Sequence, residues 1–190
     1  MKILETLKER RTYYDINKEL PIDEIKVFDL VEKATELVPD AFNMKSSRVV
    51  VVTGEKQDTL WDNIYDVFEG KVPREKIDSF KKGYGTILYF IDQNVVKGLQ
   101  NQFPIYAQRF PEWASQSSGM LQISIWSGLK ELGIGASLQH YNPVIDEMVK
   151  KMFDIPESYL LNAQMPFGGI GSHPDQKPAE DISKRVMIVK

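Results

Sequence analysis

"WASQSSGMLQISIWSGL", residues 113–129, carries no charged side chain. It is long enough to raise the question of a membrane span. Yet it holds four serines before position 125, two glutamines and two glycines, which makes it too polar for hydrocarbon. A helix enclosed by protein on nearly every side accounts for both properties. Its expected limits are about 112 and 132. Pro104 and Pro111 lie in the loop before it, and the glycines of "LGIGAS" suit a C-terminal cap after it.

The neighbouring segments say what this helix packs on. "RVVVVT" at 48–53 is a continuous β-branched run, as in a strand covered on both faces, and "TILYFI" at 86–91 reads as a second buried strand. "YLLNAQM" at 159–165 is a third strand, ending in "PFGGIG", and "RVMIVK" at 185–190 reads as a final one. Residues 2–10 predict a short helix. Pro21 and Asp23 introduce another, with Ile25, Phe28, Val31 and Val38 near helical spacing. Leu60, Trp61, Ile64, Val67 and Phe68 form the stripe of a third. "REKIDSFKK" at 74–82 predicts a solvated helix, and Asn142–Pro143 an N-cap and first turn for one running through Met152. Helices separate the strands, so the expectation is a mixed α/β or α+β fold around a central sheet, with residues 1–190 as a single domain. There is no internal repeat and no linker long enough to divide the chain.

Composition narrows the chemistry. Hydrophobic residues make up 42%, enough for a substantial core, and the net charge of −3 favours neither nucleic acid nor a membrane surface. The chain has no cysteine, which removes disulfides, thiolate metal sites and thiol nucleophiles. Its two histidines, His140 and His173, are too few for a histidine-rich metal site, so no metal is expected. Lys2 begins a charged rather than an apolar segment, so no secretory signal is read and the expected location is cytoplasmic. "GIG" at 133–135 follows a helix, and "GGIG" at 168–171 runs into "SHPDQKP", so neither is a dinucleotide-binding fingerprint. A phosphate loop and a G-x-S-x-G elbow are also missing. What remains is a pair of arginines, "LKERRTYYDI" at 7–16, where the first helix ends.

Five pieces in order complete the reading. "RRTYY" after the N-terminal helix, "AFNMKSSRVVVV", "LGIGASLQHYNP", "PFGG" after a strand and "KRVMIVK" at the end together resemble the FMN-dependent nitroreductases. They are most like the small branch with fungal and lactic-bacterial nitroreductase-like members. The resemblance spans nearly the whole chain. It implies an α+β fold with a central mixed or antiparallel sheet flanked by helices, in an intertwined homodimer. Two FMN molecules would lie at the dimer interface, each touched by both chains, and the uncharged helix would pack centrally against its partner copy.

The resemblance also implies a set of site residues. Arg10 and Thr12 match positions near the FMN phosphate or ribityl chain, with Arg11 beside them; arginine meets a phosphate dianion with a planar fork of donors. Lys184 and Arg185 match a C-terminal basic pair that reaches the same phosphate. Asn43 matches an amide at the polar edge of the isoalloxazine ring, followed by Ser46. Ser137, Leu138, Gln139 and His140 match a segment whose backbone lies close to the flavin, with one N–H directed at N5. His140 is the candidate acid, its natural pKa suiting that role, against the alternative of a structural histidine in a packed corner. Gly168 and Gly169 would permit a tight turn near the ring or end the strand. Two positions depart from the family pattern. Tyr14 stands where many members carry a basic residue, and Lys45 where they carry glutamine, so a positive charge is lost and another gained near the ring edge.

The function implied is an oxidoreductase in which NADH or NADPH reduces the flavin and a small aromatic acceptor, nitroaromatic or quinone, reoxidises it at the same site by ping-pong kinetics. The alternative is a flavin-binding protein of sensing, storage or stress response with incidental turnover; a cofactor-free interaction domain is the third reading.

Overall fold

The computed structural model describes all 190 residues. The helices are α1 (Lys2–Glu9), α2 (Ile25–Leu37), α3 (Glu55–Val67), α4 (Arg74–Lys81), α5 (Gln93–Gln102), α6 (Phe110–Glu131) and α7 (Asp146–Phe153). The strands are β1 (Ile16–Asn17), β2 (Ser47–Thr53), β3 (Gly85–Asp92), β4 (Gly135–Ala136) and β5 (Tyr159–Ile170). They form one five-stranded sheet in the order β1-β5-β3-β2, with β4 also on β5. Every pairing is antiparallel, so the fold is α+β.

Alternate residues of the central strand β3 serve two cores, as the two-residue period requires. Ile87 and Tyr89 join Ala163, Met165 and Phe167 of β5 against Val27 and Val31 of α2 and Leu121, Ile125 and Leu129 of α6. Leu88 and Phe90 face the other way, with Leu161, onto Leu60, Trp61 and Ile64 of α3, Ile77 and Phe80 of α4, and Ile145 and Val149. A third cluster joins Met44, Ile91 and Val96 to Phe110 and Ala114 at the start of α6. No helix is long and apolar enough to cross a membrane.

Several expectations need correction. The valine run of β2 is not covered on both faces: β2 is an edge strand and only Val52 is buried, whereas all eight residues of β3 are. Residues 74–82 are not wholly solvated, because Ile77 and Phe80 seal the core from α4. Asn142–Pro143 does not cap α7; a turn intervenes and the helix begins at Asp146 after Ile145. β5 runs through Gly168 and Gly169 rather than stopping at 165, so these glycines neither turn nor end the strand. They admit the β1 segment instead: a Cβ on Gly168 would collide with the Asn17 carbonyl oxygen, and one on Gly169 with that of Glu19. Residues 185–190 form no strand. Val186, Met187, Ile188 and Val189 have the right pattern, but no strand of this chain pairs with them and all four are exposed.

Candidate active site

α1 ends at Arg10, whose extended backbone turns the chain toward α6. The Arg10 guanidinium lies 4.0 Å above the Trp126 ring centroid, and no carboxylate pairs with it. Its Nε is buried without a partner, as are Arg11 Nε and Trp126 Nε1. Burial, and after it the charge of Arg11, lowers the Arg10 pKa, but from so high a starting value that the group stays charged. Arg11 donates through Nη2 to the Asp175 carbonyl at 2.5 Å, which ties the start of the C-terminal tail to the basic segment. The next residues are held firmly: Thr12 bridges Ala136, and Tyr13 N–H donates to Ala136 O at 3.0 Å. The order Arg10-Arg11-Thr12 therefore lies directly against the segment leading to Ser137–His140. Sequence reading missed Trp126, although an aromatic in an uncharged helix facing a pair of arginines is a recognisable cation–π arrangement.

Asn43 and Lys45 stand elsewhere. They line a cavity of about 570 Å³ between α2, β2 and α6, together with Asp40, Arg48, Ser117 and Leu121. That volume is in the range of small-molecule sites. The backbone here is unusual: Phe42, Asn43 and Lys45 all have positive φ, at 57°, 49° and 51°. Such conformations are uncommon for residues other than glycine and collect at functional sites. Three contacts hold them. Phe42 stacks on Trp113 with centroids 5.5 Å apart, Asp40 Oδ2 accepts the Lys45 N–H at 2.5 Å, and Arg48 Nη1 donates to the Lys45 carbonyl at 2.7 Å. Arg48 is fixed in turn by Asp92 at 3.0 Å. The side chains of Asn43 and Lys45 are left free and exposed, and Ser46 Oγ and Ser117 Oγ are buried without partners. Asp40 and Arg48 were invisible in the sequence, where they look like surface charges.

The remaining predicted residues divide. Ser137 and Gln139 are buried, Leu138 is half-buried and His140 is exposed. Lys184 and Arg185 are exposed and not brought to Arg10; Arg185 pairs with Glu180 at 2.5 Å instead. Tyr14 packs its ring toward Phe80, 6.2 Å between centroids. The two polar groupings also sit at different levels of α6. Phe42, next to Asn43, rests on Trp113, whereas Arg10 rests on Trp126. Thirteen residues of helix separate these platforms, about 20 Å along the axis.

Residues 7–169 match the sequence model of the nitroreductase family. The chain belongs to the nitroreductase family. This nitroreductase is 35% identical over 178 residues to the putative nitroreductase HBN1 of Saccharomyces cerevisiae, covering 92% of this chain and 91% of the relative. The solved structure of the nitroreductase CinD from Lactococcus lactis, in complex with chloramphenicol, superimposes with a TM-score of 0.94 at 41% identity, over 99% of this chain and 100% of that one. A second structure of that protein holds 4-nitrophenol and gives a TM-score of 0.92 at 41% identity, with the same coverage. A nitroreductase with bound FMN from Desulfitobacterium hafniense shares the fold, at a TM-score of 0.72 and 18% identity over 100% of this chain and 99% of that one. Family and relatives make this chain an oxidoreductase.

Proposed function

We propose that this nitroreductase is an FMN-dependent NAD(P)H oxidoreductase that works as a homodimer and reduces nitroaromatic or quinone acceptors. The observation that carries the reading is the Arg10 guanidinium, charged, half-buried on Trp126 and lacking any carboxylate partner. An unpaired buried charge is costly, and a phosphate dianion relieves that cost with charge-assisted hydrogen bonds. Unpartnered donors at Arg11 and Trp126 fit the same ligand, and the free Asn43 amide with the Ser46 and Ser117 hydroxyls fits the polar edge of its ring. The residues therefore suit FMN at both ends.

When bound, FMN supplies a two-electron carrier between the nicotinamide and the acceptor. The chain's own residues bind and orient. Arg10, with Arg11 and Thr12, holds the phosphate end. Asn43 and Lys45 meet the ring edge, where the Lys45 ammonium favours negative charge. The backbone of Ser137–His140 lies alongside. Nothing needs a nucleophile, which agrees with a site built from amides, hydroxyls and cations. The Lactococcus lactis relative is solved in complex with 4-nitrophenol and, separately, with nicotinic acid, which supports a small aromatic acceptor and a nicotinamide donor here. The separation of the two groupings along α6 supports a site shared between copies, because a two-fold axis across the helix brings one end of α6 near the opposite end of its partner.

Purification tests this directly. The protein should be yellow, hold one FMN per chain, and oxidise NADH or NADPH with a nitroaromatic or quinone present. A colourless protein that takes up no added FMN would end the proposal.

A further inference from the structure

Gln164 is a fully buried amide in the middle of β5, with apolar neighbours along the strand. Such a group is normally destabilising unless all its hydrogen bonds are made. Here the residue makes four, all to one short segment. Its backbone N–H donates to Gln139 O at 2.9 Å, and its carbonyl accepts the Gln139 N–H at 2.7 Å. Its side-chain Oε1 accepts the Tyr141 N–H at 2.7 Å, and its Nε2 donates to Asn142 Oδ1 at 3.2 Å. Ser137 N–H completes the series on Pro166 O at 3.2 Å.

The consequence lies in the alternation. The N–H groups of residues 137, 139 and 141 all point at β5. In an extended segment the intervening groups point the opposite way. Leu138 N–H and His140 N–H accordingly meet no protein acceptor. The backbone ladder ends at Gln139, and only the Gln164 side chain extends it by one more rung to Tyr141. Without that rung His140 would stand at a free end.

We propose that Gln164 is a positioning residue for the flavin: by holding Tyr141 and Asn142 it keeps the Leu138 and His140 N–H groups aimed away from β5, His140 N–H above all, as preorganised donors to the flavin ring. This rests on the FMN reading above, with N5 as the acceptor that the family resemblance implies for this segment. Donors fixed in advance stabilise charge that develops on the acceptor, and a donor that must first be ordered does so far less.

The test uses Gln164→Met, which keeps the shape and loses both side-chain bonds, and Gln164→Glu, which keeps an oxygen for Tyr141. Each holoenzyme is loaded with 15N-labelled FMN and the N5 resonance recorded. In Gln164→Met it should move toward the position of a flavin in aprotic solvent, and NAD(P)H should reduce the flavin about ten- to a hundredfold more slowly. In Gln164→Glu, which loses only the bond to Asn142, both should change in the same direction but less. An N5 resonance unchanged in Gln164→Met, or moved equally in both variants, overturns the inference, whatever happens to the melting temperature. If Gln164→Met does not fold, Asn142→Ala removes one bond from nearer the surface; a displaced N5 resonance there supports the proposal and an unmoved one overturns it. Amide exchange in the FMN-free protein gives a separate reading: the Tyr141 N–H should exchange about five- to tenfold faster in Gln164→Met, as for one lost hydrogen bond. A wild type that takes up no FMN overturns both proposals. One that binds FMN but ignores Gln164 overturns this one alone.

Discussion

At the scale of single residues, Arg10 and Asp146 are among the groups that lack the partner their burial calls for, and the consequences differ. Arg10 is a charge waiting for an anion, so its removal should be felt by the ligand. Arg10→Ala should weaken FMN binding about ten- to a hundredfold, the equivalent of a charge-assisted hydrogen bond of roughly 1.5–3 kcal/mol. Riboflavin, which lacks the phosphate, should bind both proteins alike in a fluorescence titration; equal losses for the two ligands would place Arg10 elsewhere. Asp146 has no such ligand. Its Oδ1 is buried without a partner, and burial, only partly opposed by Lys150, raises its pKa above the ordinary aspartate value. A carboxyl whose folded pKa exceeds its unfolded one holds its proton better in the folded state. Stability is therefore lost as pH rises from the unfolded pKa through the folded one. Its place in the first turn of α7 favours the anion and so works against burial. Asp146→Asn should raise the melting temperature at pH 7 and leave it nearly unchanged at pH 3. A variant less stable at pH 7 would mean that the helix end, not burial, governs this carboxylate.

At the scale of elements, α6 explains why the sequence was only partly legible. Its uncharged run showed that it would be enclosed, yet within one chain it is not. Ala114, Ser117, Ser118, Leu121, Gln122, Ile125 and Leu129 are buried, whereas Ser115, Gln116, Gly119, Met120 and Ile123 are exposed. The exposed set recurs at helical spacing and forms one charge-free stripe, with open space around Gly119. Composition records how many sides of a helix avoid water but not which molecule covers them. The C-terminal "RVMIVK" misled for the same reason: an apolar tail reads as a strand, and no strand of its own chain pairs with it, leaving Met187 87% and Val189 84% exposed. Arg10, Asn43 and the 137–140 segment drew attention in the sequence because their residue types and order resemble the family pattern, and the structure sets Arg10 beside the 137–140 segment. Gln164, Arg48 and Asp40 were not, because what they do depends on which backbone groups lie across the fold from them. On the proposed dimer the α6 stripe meets its copy. Met120→Glu, placing two like charges across that axis, should convert the dimer to monomer in analytical ultracentrifugation and release FMN with it. A dimer of unchanged affinity would show that another face carries the assembly.

At the scale of the whole molecule, the arrangement of the two polar groupings decides how many chains a working site needs. Arg10 rests on Trp126, and Phe42, next to Asn43, rests on Trp113, about 20 Å away along α6, yet the FMN reading asks Arg10 and Asn43 to touch one ligand. If each site takes Arg10 from one protomer and Asn43 from its partner, two damaged chains can repair each other. A dimer of one Arg10→Ala chain and one Asn43→Ala chain then contains one site with both defects and one with neither. If both residues served the same site from the same chain, every site in that dimer would carry one defect. Co-expression at equal levels should give mixed dimers in half the population, so about a quarter of all sites would be intact. FMN occupancy, measured at a concentration where neither parent variant retains the flavin, should recover to that fraction, and NAD(P)H-dependent nitroaromatic reduction with it. Recovery no higher than the mean of the two parents would place Arg10 and Asn43 in a single-chain site. In that case the exposed stripe of α6 would have to be explained by something other than a shared flavin.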